Sequence, residues 1–450
     1  MASKLSRMAQ LGALTTRVSS SYLGNKVAGI FQGEETRKAS LDRTHQQNAE
    51  RIVANLGSLK GAAMKVGQAI AQMADGYGLP AEAMAALGKL HDKAEPVPFE
   101  VVKRRIESEL AGGLDTLFAS FDPEPLGTAS LGQAHGARLP DGTDVVVKVL
   151  HEGIDGSVHA DLGALRAMLT AGRVLRRPKE EVDAIFQEIE QRLAEELDYR
   201  LEAANLKEFR AFFHNDPNVT IPMVHDGWST GRVLTMERLV GRPLPVFVAT
   251  GTPAAKQHAG ATLGRASMRM QYELRAIHAD PHPGNYLFTP DGRVGILDFG
   301  CVRRLDLDWI ASYGECGLAV RNGDREALME ASVRIRALTH RGDKDAEDVL
   351  WELCRAIGKP FAKGAPYTMG GEQDDIQDII TGLVPRLLAS SSLRSPHELV
   401  FLHRALGGVY QILKQLKATA DWGGIFEDVA LRCVADRDRA SRVSVAGTAR

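Results

Sequence analysis

Hydrophobic residues recur at helical spacing within residues 1–33, where the apolar positions are Leu5, Met8, Leu11, Leu14 and Val18. The same segment is basic, because it contains no acid and carries Lys4, Arg7, Arg17 and Lys26. A cleaved transit peptide, a helix lying on anionic lipid and a helix docked on its own protein all fit this pattern. Residues 1–33 are therefore predicted to form a basic amphipathic segment, and these three interpretations stay open.

Few helix breakers interrupt the residues that follow, and a helical extension is predicted over residues 34–120. Helices are expected from Thr44 to Asp75, from Pro80 to about Lys93 and from Val101 to Leu110. The pattern then changes to β-branched runs, and "GARLPDGTDVVVKVL" predicts a hairpin that turns at Gly142. A long helix from about Glu180 to Phe213 and strands in "VTIPMV" and "RVLTME" complete a small mixed lobe, residues 121–238.

A larger and mostly helical lobe is predicted over residues 239–435. It begins with a helix from Pro253 to Ile277, continues with a hairpin in "YLFTPDGRVGIL" and is largely helical from Leu305 to Ala435. Residues 436–450 are expected to be a frayed polar tail. The order of helical extension, small mixed lobe and helical lobe predicts an α+β fold.

Composition describes an ordinary globular protein, with 44% hydrophobic residues, 25% charged residues and a formal net charge of -2. This balance gives no support for a nucleic-acid partner. No uninterrupted run approaches the ~20 apolar residues that a spanning helix needs, so any membrane contact is expected to be peripheral. The cysteines fit a reducing compartment, since no CxxC pair is present among Cys301, Cys316, Cys354 and Cys433.

The stretch "HADPHPGN" places an aspartate and an asparagine on a backbone stiffened by two prolines. Asp280 and Asn285 lie five positions apart, and Asp298 follows in "RVGILDFG" thirteen residues after Asn285. This spacing, with an Asp-Phe-Gly after a hairpin, is how protein-kinase-like folds hold nucleotide phosphates. Asn285 and Asp298 are therefore candidate Mg²⁺ ligands, and Asp280 is expected to orient or deprotonate the acceptor.

Zinc is an alternative interpretation of the same stretch. His278 and His282 lie four positions apart, which on a helix would place them on one face. Pro281 and Pro283 make a regular helix improbable there, so this interpretation is disfavoured.

Lys148 in "VVVKVL" has the type and placement of the lysine that contacts the α- and β-phosphates in kinase-like folds. Its carboxylate partner is expected on the long acidic helix that follows. The acids considered there are Glu190, Glu196, Asp198 and Glu202.

The loop before this lysine, "PLGTASLGQAHGARL", lacks the glycine-rich pattern of a kinase loop. Gly127 and Gly132 match the glycine spacing of a P-loop, but Gln133 and Ala134 stand where its Lys and Ser/Thr belong, which rejects a P-loop. Ser130 and Gln133 are candidate hydrogen-bond donors to the phosphates. The predicted nucleotide-binding residues are Gly127, Thr128, Ala129, Ser130, Lys148, Met236 and Glu237.

Six motifs occur in the order found in the UbiB-type atypical kinases, also called the AarF or coenzyme Q kinase-like family, and the chain resembles that family over roughly residues 50 to 430. They are "MKVGQ", "GTASLGQAH", "VVVKV", "EELDYRLEAAN", "HADPHPGN" and "LDFG". The coenzyme Q subgroup is resembled especially, through "LKGAAMKVGQ" and "FLHRALGGVYQILKQLKA".

The resemblance implies an atypical protein-kinase-like fold whose helical extension packs over the active site. It implies that the KxGQ motif, with Lys65 and Gln68, meets the ExD motif, here Glu196 and Asp198. Glu202 is then the preferred partner of Lys148, because it leaves the other two acids for Lys65. The family's alanine-rich loop is here "GTAS", and its glycine restores backbone freedom, so the nucleotide preference of the alanine version is not carried over.

The predicted function is that of an ATP-binding, Mg²⁺-dependent atypical kinase or ATPase supporting ubiquinone or related isoprenoid-lipid metabolism, and not a conventional peptide kinase. The expected ligands are ATP or ADP, Mg²⁺ and an isoprenoid-lipid or quinone-precursor molecule, and a homodimer or a quinone-biosynthesis complex is an open possibility. The alternatives are a small-molecule kinase of the aminoglycoside or fructosamine type and a nucleotide-binding, lipid-associated scaffold. The expected location is cytoplasmic and peripherally membrane-associated, with a bacterial-type cytosol preferred over the mitochondrial matrix.

Overall fold

The computed structural model describes residues 96–128, 131–152, 162, 183, 187, 190, 194–279, 281–364 and 366–448. The basic segment and most of the predicted extension lie outside these residues, as do five predicted site residues, Lys65, Gln68, Ala129, Ser130 and Asp280. The chain divides into two compact units. The first comprises Met1–Ala203 and Val224–Arg238, and the second comprises Ala204–Met223 and Leu239–Arg450.

The helices and strands are named here in chain order over the described residues. The strands are β1 (Ser120–Thr128), β2 (Gly132–Arg138), β3 (Asp144–Leu150), β4 (Val219–Thr220), β5 (Val233–Glu237), β6 (Arg242–Pro243), β7 (Ala276–His278), β8 (Tyr286–Phe288), β9 (Val294–Ile296), β10 (Val302–Arg304), β11 (Tyr367–Thr368) and β12 (Thr419–Ala420). The helices are α1 (Phe99–Leu110), α2 (Leu114–Leu117), α3 (Tyr199–Phe212), α4 (Leu244–Thr250), α5 (Pro253–Tyr272), α6 (Leu307–Asn322), α7 (Arg325–Arg334), α8 (Lys344–Gly358), α9 (Ile376–Ala389), α10 (His397–Leu416) and α11 (Trp422–Thr448).

The first unit is built on an antiparallel sheet in the order β1-β2-β3-β5. The predicted hairpin is β2 and β3, and Gly142 turns it with a φ of 90°, in the left-handed region that glycine adopts without strain. Along β3, Val145 and Val147 are fully buried because alternate residues of a strand point to the same face. They pack with Val102 and Ile106 of α1 in one hydrophobic cluster, so this helix covers one face of the sheet.

The second unit combines a small sheet with a body of helices. The sheet order is β4-β9-β8-β6, in which β4 runs parallel to β9 and the other pairs are antiparallel. The predicted second hairpin is β8 and β9. In the helical body, α5 approaches its neighbours closely, since a Cβ on Gly264 would lie 2.2 Å from the ring of Trp422 on α11.

Three predicted elements differ from the structure. The helix expected from Glu180 to Phe213 is interrupted at Leu197–Asp198, because Asp198 begins a new helix, α3. The helix expected to reach Ile277 ends at Tyr272, since the residues that follow pair as β7 with β10. The tail expected to fray from residue 436 is helical to Thr448. The α+β class and both hairpins are confirmed.

Across the part of the chain that the structure describes, no helix is long and apolar enough to cross a membrane.

Candidate active site

Lys148 lies in the middle of β3, where its neighbours across the ladder are Ala134 on β2 and Leu234 on β5. Its Nζ donates to Glu202 Oε1 on α3 at 2.5 Å. The Glu202 side chain is 5% exposed and that of Lys148 is 17% exposed. The predicted pairing of Lys148 with Glu202 is therefore present, and burial strengthens it because the pair is shielded from water.

Gln133, a predicted phosphate donor, has a different role. It is 3% exposed, its Oε1 accepts from the Val97 amide at 2.9 Å, and its Nε2 lies 2.9 Å from His135 Nε2. His135 Nδ1 in turn lies 2.9 Å from the Asp122 carbonyl, and burial lowers the pKa of His135. Gln133 thus ties the start of the described chain to β2, and the expectation that it donates to phosphates is wrong.

The other predicted nucleotide residues of the first unit lie at the ends of strands. Gly127 and Thr128 end β1 opposite Ala134 and Gln133. Nothing lies within 4 Å of a Cβ built on Gly127, so glycine is not required there by crowding. Met236 and Glu237 end β5, paired with Val146 and Val145, and Met236 is buried. Ala129 and Ser130 lie outside the described residues.

Glu196 and Asp198, the predicted ExD pair, fall on either side of the helix interruption. Glu196 ends the preceding helical segment, and Asp198 is not helical. Asp198 Oδ1 accepts from the Arg200 amide at 3.0 Å, and its carbonyl accepts from the Leu201 amide at 3.1 Å. This is the bonding of an N-cap residue, so Asp198 stabilises the start of α3. Its predicted partner, Lys65, lies outside the described residues.

The second unit brings the HADPHPGN and LDFG motifs side by side. Strand β7, which leads into the first motif, pairs with β10, which follows the second, and His278 lies opposite Val302. One residue further, the Ala279 amide donates to the Cys301 carbonyl at 2.8 Å. This bond fixes Ala279, which directly precedes Asp280, next to the residues that follow Asp298.

Asn285 and Asp298, the predicted metal ligands, are joined through the backbone. Asn285 ends a single 3-10 turn that begins at Pro283, and its carbonyl accepts from the Leu297 amide at 2.9 Å. Leu297 directly precedes Asp298, whose Oδ1 accepts from the Gly300 amide at 3.0 Å. The two motifs are thus held together at the residues that carry the amide and the carboxylate.

A magnesium ion suits this pair of side chains. Mg²⁺ prefers hard oxygen ligands and is often bound through one or two carboxylates together with substrate phosphates and water. Among the described residues, no group of three or more His, Cys, Asp and Glu side chains is placed to hold a metal. His282, one half of the zinc alternative, accepts from the Gly284 amide through Nδ1 at 3.1 Å. The donor chemistry of Asn285 and Asp298 therefore fits magnesium.

The residues that anchor the Asp-Phe-Gly turn were not predicted from the sequence. Phe299 is fully buried, and its ring centroid lies 4.4 Å from that of Phe209 on α3. Its carbonyl accepts from Asn205 Nδ2 at 2.9 Å, and Asn205 Oδ1 accepts from Arg304 at 3.1 Å. Arg304 also pairs with Glu208. Asn205 is the last residue of the "EELDYRLEAAN" motif, and its position in that motif was the available signal.

The comparisons with known proteins agree on one family. The profile of the ABC1 atypical kinase-like domain matches residues 89–332. The atypical kinase COQ8B, mitochondrial, of Rattus norvegicus is 30% identical over 97% of this chain and 82% of its own length. The atypical kinase COQ8, mitochondrial, of Saccharomyces cerevisiae is 27% identical over 95% of this chain and 85% of its own length.

A solved structure shares the fold. It is the complex of Rv3197 with erythromycin from Mycobacterium tuberculosis, which is 28% identical and aligns with a TM-score of 0.63 over 88% of this chain and 98% of that one. The names of the rat and yeast relatives also bear on location, because both include the word mitochondrial. The predicted preference for a bacterial-type cytosol over the mitochondrial matrix is therefore wrong.

Proposed function

Since this chain belongs to the ABC1 atypical kinase-like family, we propose that it binds ATP with Mg²⁺ and transfers or hydrolyses the terminal phosphate in support of ubiquinone or related isoprenoid-lipid metabolism. The protein is an atypical kinase with a kinase-like fold, as the resemblance implied. What we propose beyond the family is that the protein binds ATP, that it requires Mg²⁺ and that it acts in isoprenoid-lipid metabolism.

The Lys148–Glu202 ion pair is the observation that carries the proposal. A lysine placed in the middle of a strand and held by a buried helical glutamate is the arrangement that contacts the α- and β-phosphates in kinase-like folds. Glu202 holds and orients the ammonium group through a charge-assisted hydrogen bond. Gly127, Thr128, Ala129, Ser130, Met236 and Glu237 are proposed to complete nucleotide binding.

Asn285 and Asp298 are proposed to bind the magnesium ion, which neutralises charge on the transferring phosphate when bound. Their backbone link through Leu297 supports this assignment, because it fixes the two side chains on one short unit of structure. Asp280 is proposed to orient or deprotonate the acceptor, which is a hydroxyl group in transfer and a water molecule in hydrolysis. Its neighbour Ala279 is held by Cys301, which supports a fixed position for the loop.

The extension is proposed to restrict access to the nucleotide site through Lys65 and Gln68. Glu196 or Asp198 is proposed to hold Lys65. Generic peptides are then expected to be poor acceptors. The basic segment, residues 1–33, is proposed to bind anionic lipid, with ~1 kcal/mol of binding free energy from each Lys or Arg near the surface. Lipid binding is then expected to favour turnover.

Substitution of the ion pair tests the proposed nucleotide site. Lys148→Met in the full chain should weaken Mg-ATP binding by at least about tenfold, since a charge contact to the phosphates is lost. Affinity is measured by titration calorimetry, and the fold is checked by circular dichroism.

A matched control exists on the same hairpin. Arg138 pairs with Asp144 at 2.9 Å, but the two side chains are 53% and 55% exposed. An exposed ion pair contributes only about 0–1 kcal/mol, so Asp144→Asn should leave both the fold and Mg-ATP affinity unchanged. The proposal is refuted if folded Lys148→Met binds Mg-ATP as tightly as Asp144→Asn.

A further inference from the structure

A cavity of about 150 Å³ lies in the helical body of the second unit, between α5, α6, α8, α10 and α11. Its walls contain none of the residues assigned above to nucleotide, metal or acceptor. Most of the lining side chains are aliphatic or aromatic, among them Val320, Ile335, Leu350, Phe361, Leu399 and Phe426. The cavity is therefore a separate apolar feature of this unit.

Several polar groups of the wall have hydrogen-bond partners. Tyr313 Oη lies 3.1 Å from His403 Nε2, and Gln271 Nε2 donates to Ser267 Oγ, outside the wall, at 3.0 Å. With these groups paired and the rest of the wall mostly apolar, the cavity offers little to hold water, since a buried water needs two to four polar partners. The space is thus suited to an apolar occupant.

The wall is also uncharged at neutral pH. No Asp, Glu, Lys or Arg side chain lines the cavity. Burial lowers the pKa of His403 to about 4 and raises that of Cys316 and Cys354 to about 12 each, so all three groups are neutral at pH 7. Burial also raises the pKa of Tyr313. An ionised ligand would lose its hydration there and gain no partner charge.

We propose that this cavity is a binding site for a small, uncharged aromatic molecule of about one ring. The size follows from volume, because a dry cavity of about 150 Å³ lined by Leu, Ile and Phe accepts benzene. An aromatic ring is favoured over an aliphatic chain because four lining residues are themselves aromatic, Tyr272, Tyr313, Phe361 and Phe426, and aromatic pairs attract beyond their area of burial. Met268 adds a polarisable sulfur, which also favours an aromatic neighbour.

Fluorobenzene tests the site by ¹⁹F NMR on the full chain without nucleotide. Saturable broadening of its signal is expected, whereas 4-fluorobenzoate, which is similar in size but charged, should show none. Ala337→Leu places a larger side chain in the wall and should weaken fluorobenzene binding at least tenfold. The same change at an exposed position outside the cavity, Ala254→Leu, should leave binding as in the wild type.

Cys354→Leu is a second cavity-filling change, for use if Ala337→Leu does not fold, and it should weaken binding in the same way. The site is also separable from nucleotide binding, so Asp298→Asn should bind fluorobenzene as the wild type does. Absence of binding to the wild type, equal binding to folded cavity-filled variants, or binding of 4-fluorobenzoate at the same affinity would each overturn the proposal.

Discussion

At the scale of single residues, one side chain often serves both the fold and the proposed chemistry. Lys148 was predictable from its place in a β-branched run, whereas Glu202 was preferred among four candidate acids only through the family resemblance. Asn205 was given no role although it ends the "EELDYRLEAAN" motif, because its bond to the Phe299 carbonyl spans 94 residues of sequence. Gln133 was assigned wrongly, since the sequence does not show that its side chain is buried.

Asp198 allows the two roles to be separated. Asp198→Ala removes the N-cap of α3 and should lower the free energy of unfolding by about 0.5–2 kcal/mol, whereas Asp198→Ser keeps a capping oxygen and should restore most of it. Urea denaturation measures the difference. If Asp198 also contacts Lys65, both variants should change Mg-ATP affinity alike, since both lack the charge. Equal stability of the two variants would show that the cap is unimportant.

His403 predicts a pH dependence of stability. Its pKa of about 4 in the folded protein lies below the usual 6.5, because burial disfavours the charged ring. As pH falls from 6.5 toward 4, the unfolded chain therefore binds the proton first and the folded state loses stability. Between pH 7 and pH 5 the loss from this residue is about 2 kcal/mol.

The neutral variant His403→Gln, which keeps an amide near Tyr313, is the comparison. Urea denaturation at pH 7 and pH 5 should show a smaller loss in His403→Gln than in the wild type by about 2 kcal/mol. The loss in the variant must be subtracted from the loss in the wild type, because burial also lowers the pKa of His135 and His151. An identical loss in both proteins would contradict a neutral His403 in the folded state.

At the scale of elements, hydrophobic pattern and turn residues predicted most helices and strands, and interruptions were missed. The hairpins were predictable because Gly142 and Gly292 follow aspartates between β-branched runs, and both adopt a φ of 90°. The end of α5 was not, because Arg275 takes a left-handed φ of 55° in a run with helical composition. Pairing of β7 with β10, which is remote in sequence, sets that boundary.

Helix α10 offers a test of how an element positions the HADPHPGN loop. A Cβ on Gly408 would lie 2.3 Å from Cγ of Pro281, whereas nothing lies within 4 Å of a Cβ on Gly407. Gly408→Ala should therefore displace the loop and lower both turnover and, by about 1–3 kcal/mol, stability. Gly407→Ala should be neutral or stabilising by up to about 1 kcal/mol, because alanine favours helix.

The adjacent positions make each variant the control of the other. Steady-state ATP hydrolysis and thermal denaturation of the full chain are measured for both. Matching turnover and stability in the two alanine variants would contradict the assigned contact between α10 and the loop.

At the scale of the whole molecule, the motif order predicted the family and the α+β class, and the location was predicted wrongly. The six motifs lie between Met64 and Gly300, and the ABC1 domain profile covers residues 89–332. A cleaved transit peptide was one of three interpretations left open for residues 1–33, so the sequence alone did not decide the location. The role of the extension and of residues 1–33 stays a prediction, because residues 1–33 and most of the extension, including Lys65 and Gln68, lie outside the described structure.

Magnesium-dependent turnover through Asp298 tests the central claim most directly. ATP hydrolysis is measured with Mg²⁺ and with EDTA in the wild type and in Asp298→Asn. The variant keeps an oxygen that accepts from the Gly300 amide, so its melting temperature without nucleotide should be unchanged. The account predicts hydrolysis by the wild type only with Mg²⁺, and at least about a hundredfold less by Asp298→Asn, the scale of losing one electrostatic group in an active site. Equal Mg²⁺-dependent rates in the two proteins, or wild-type hydrolysis that persists in EDTA, would contradict it.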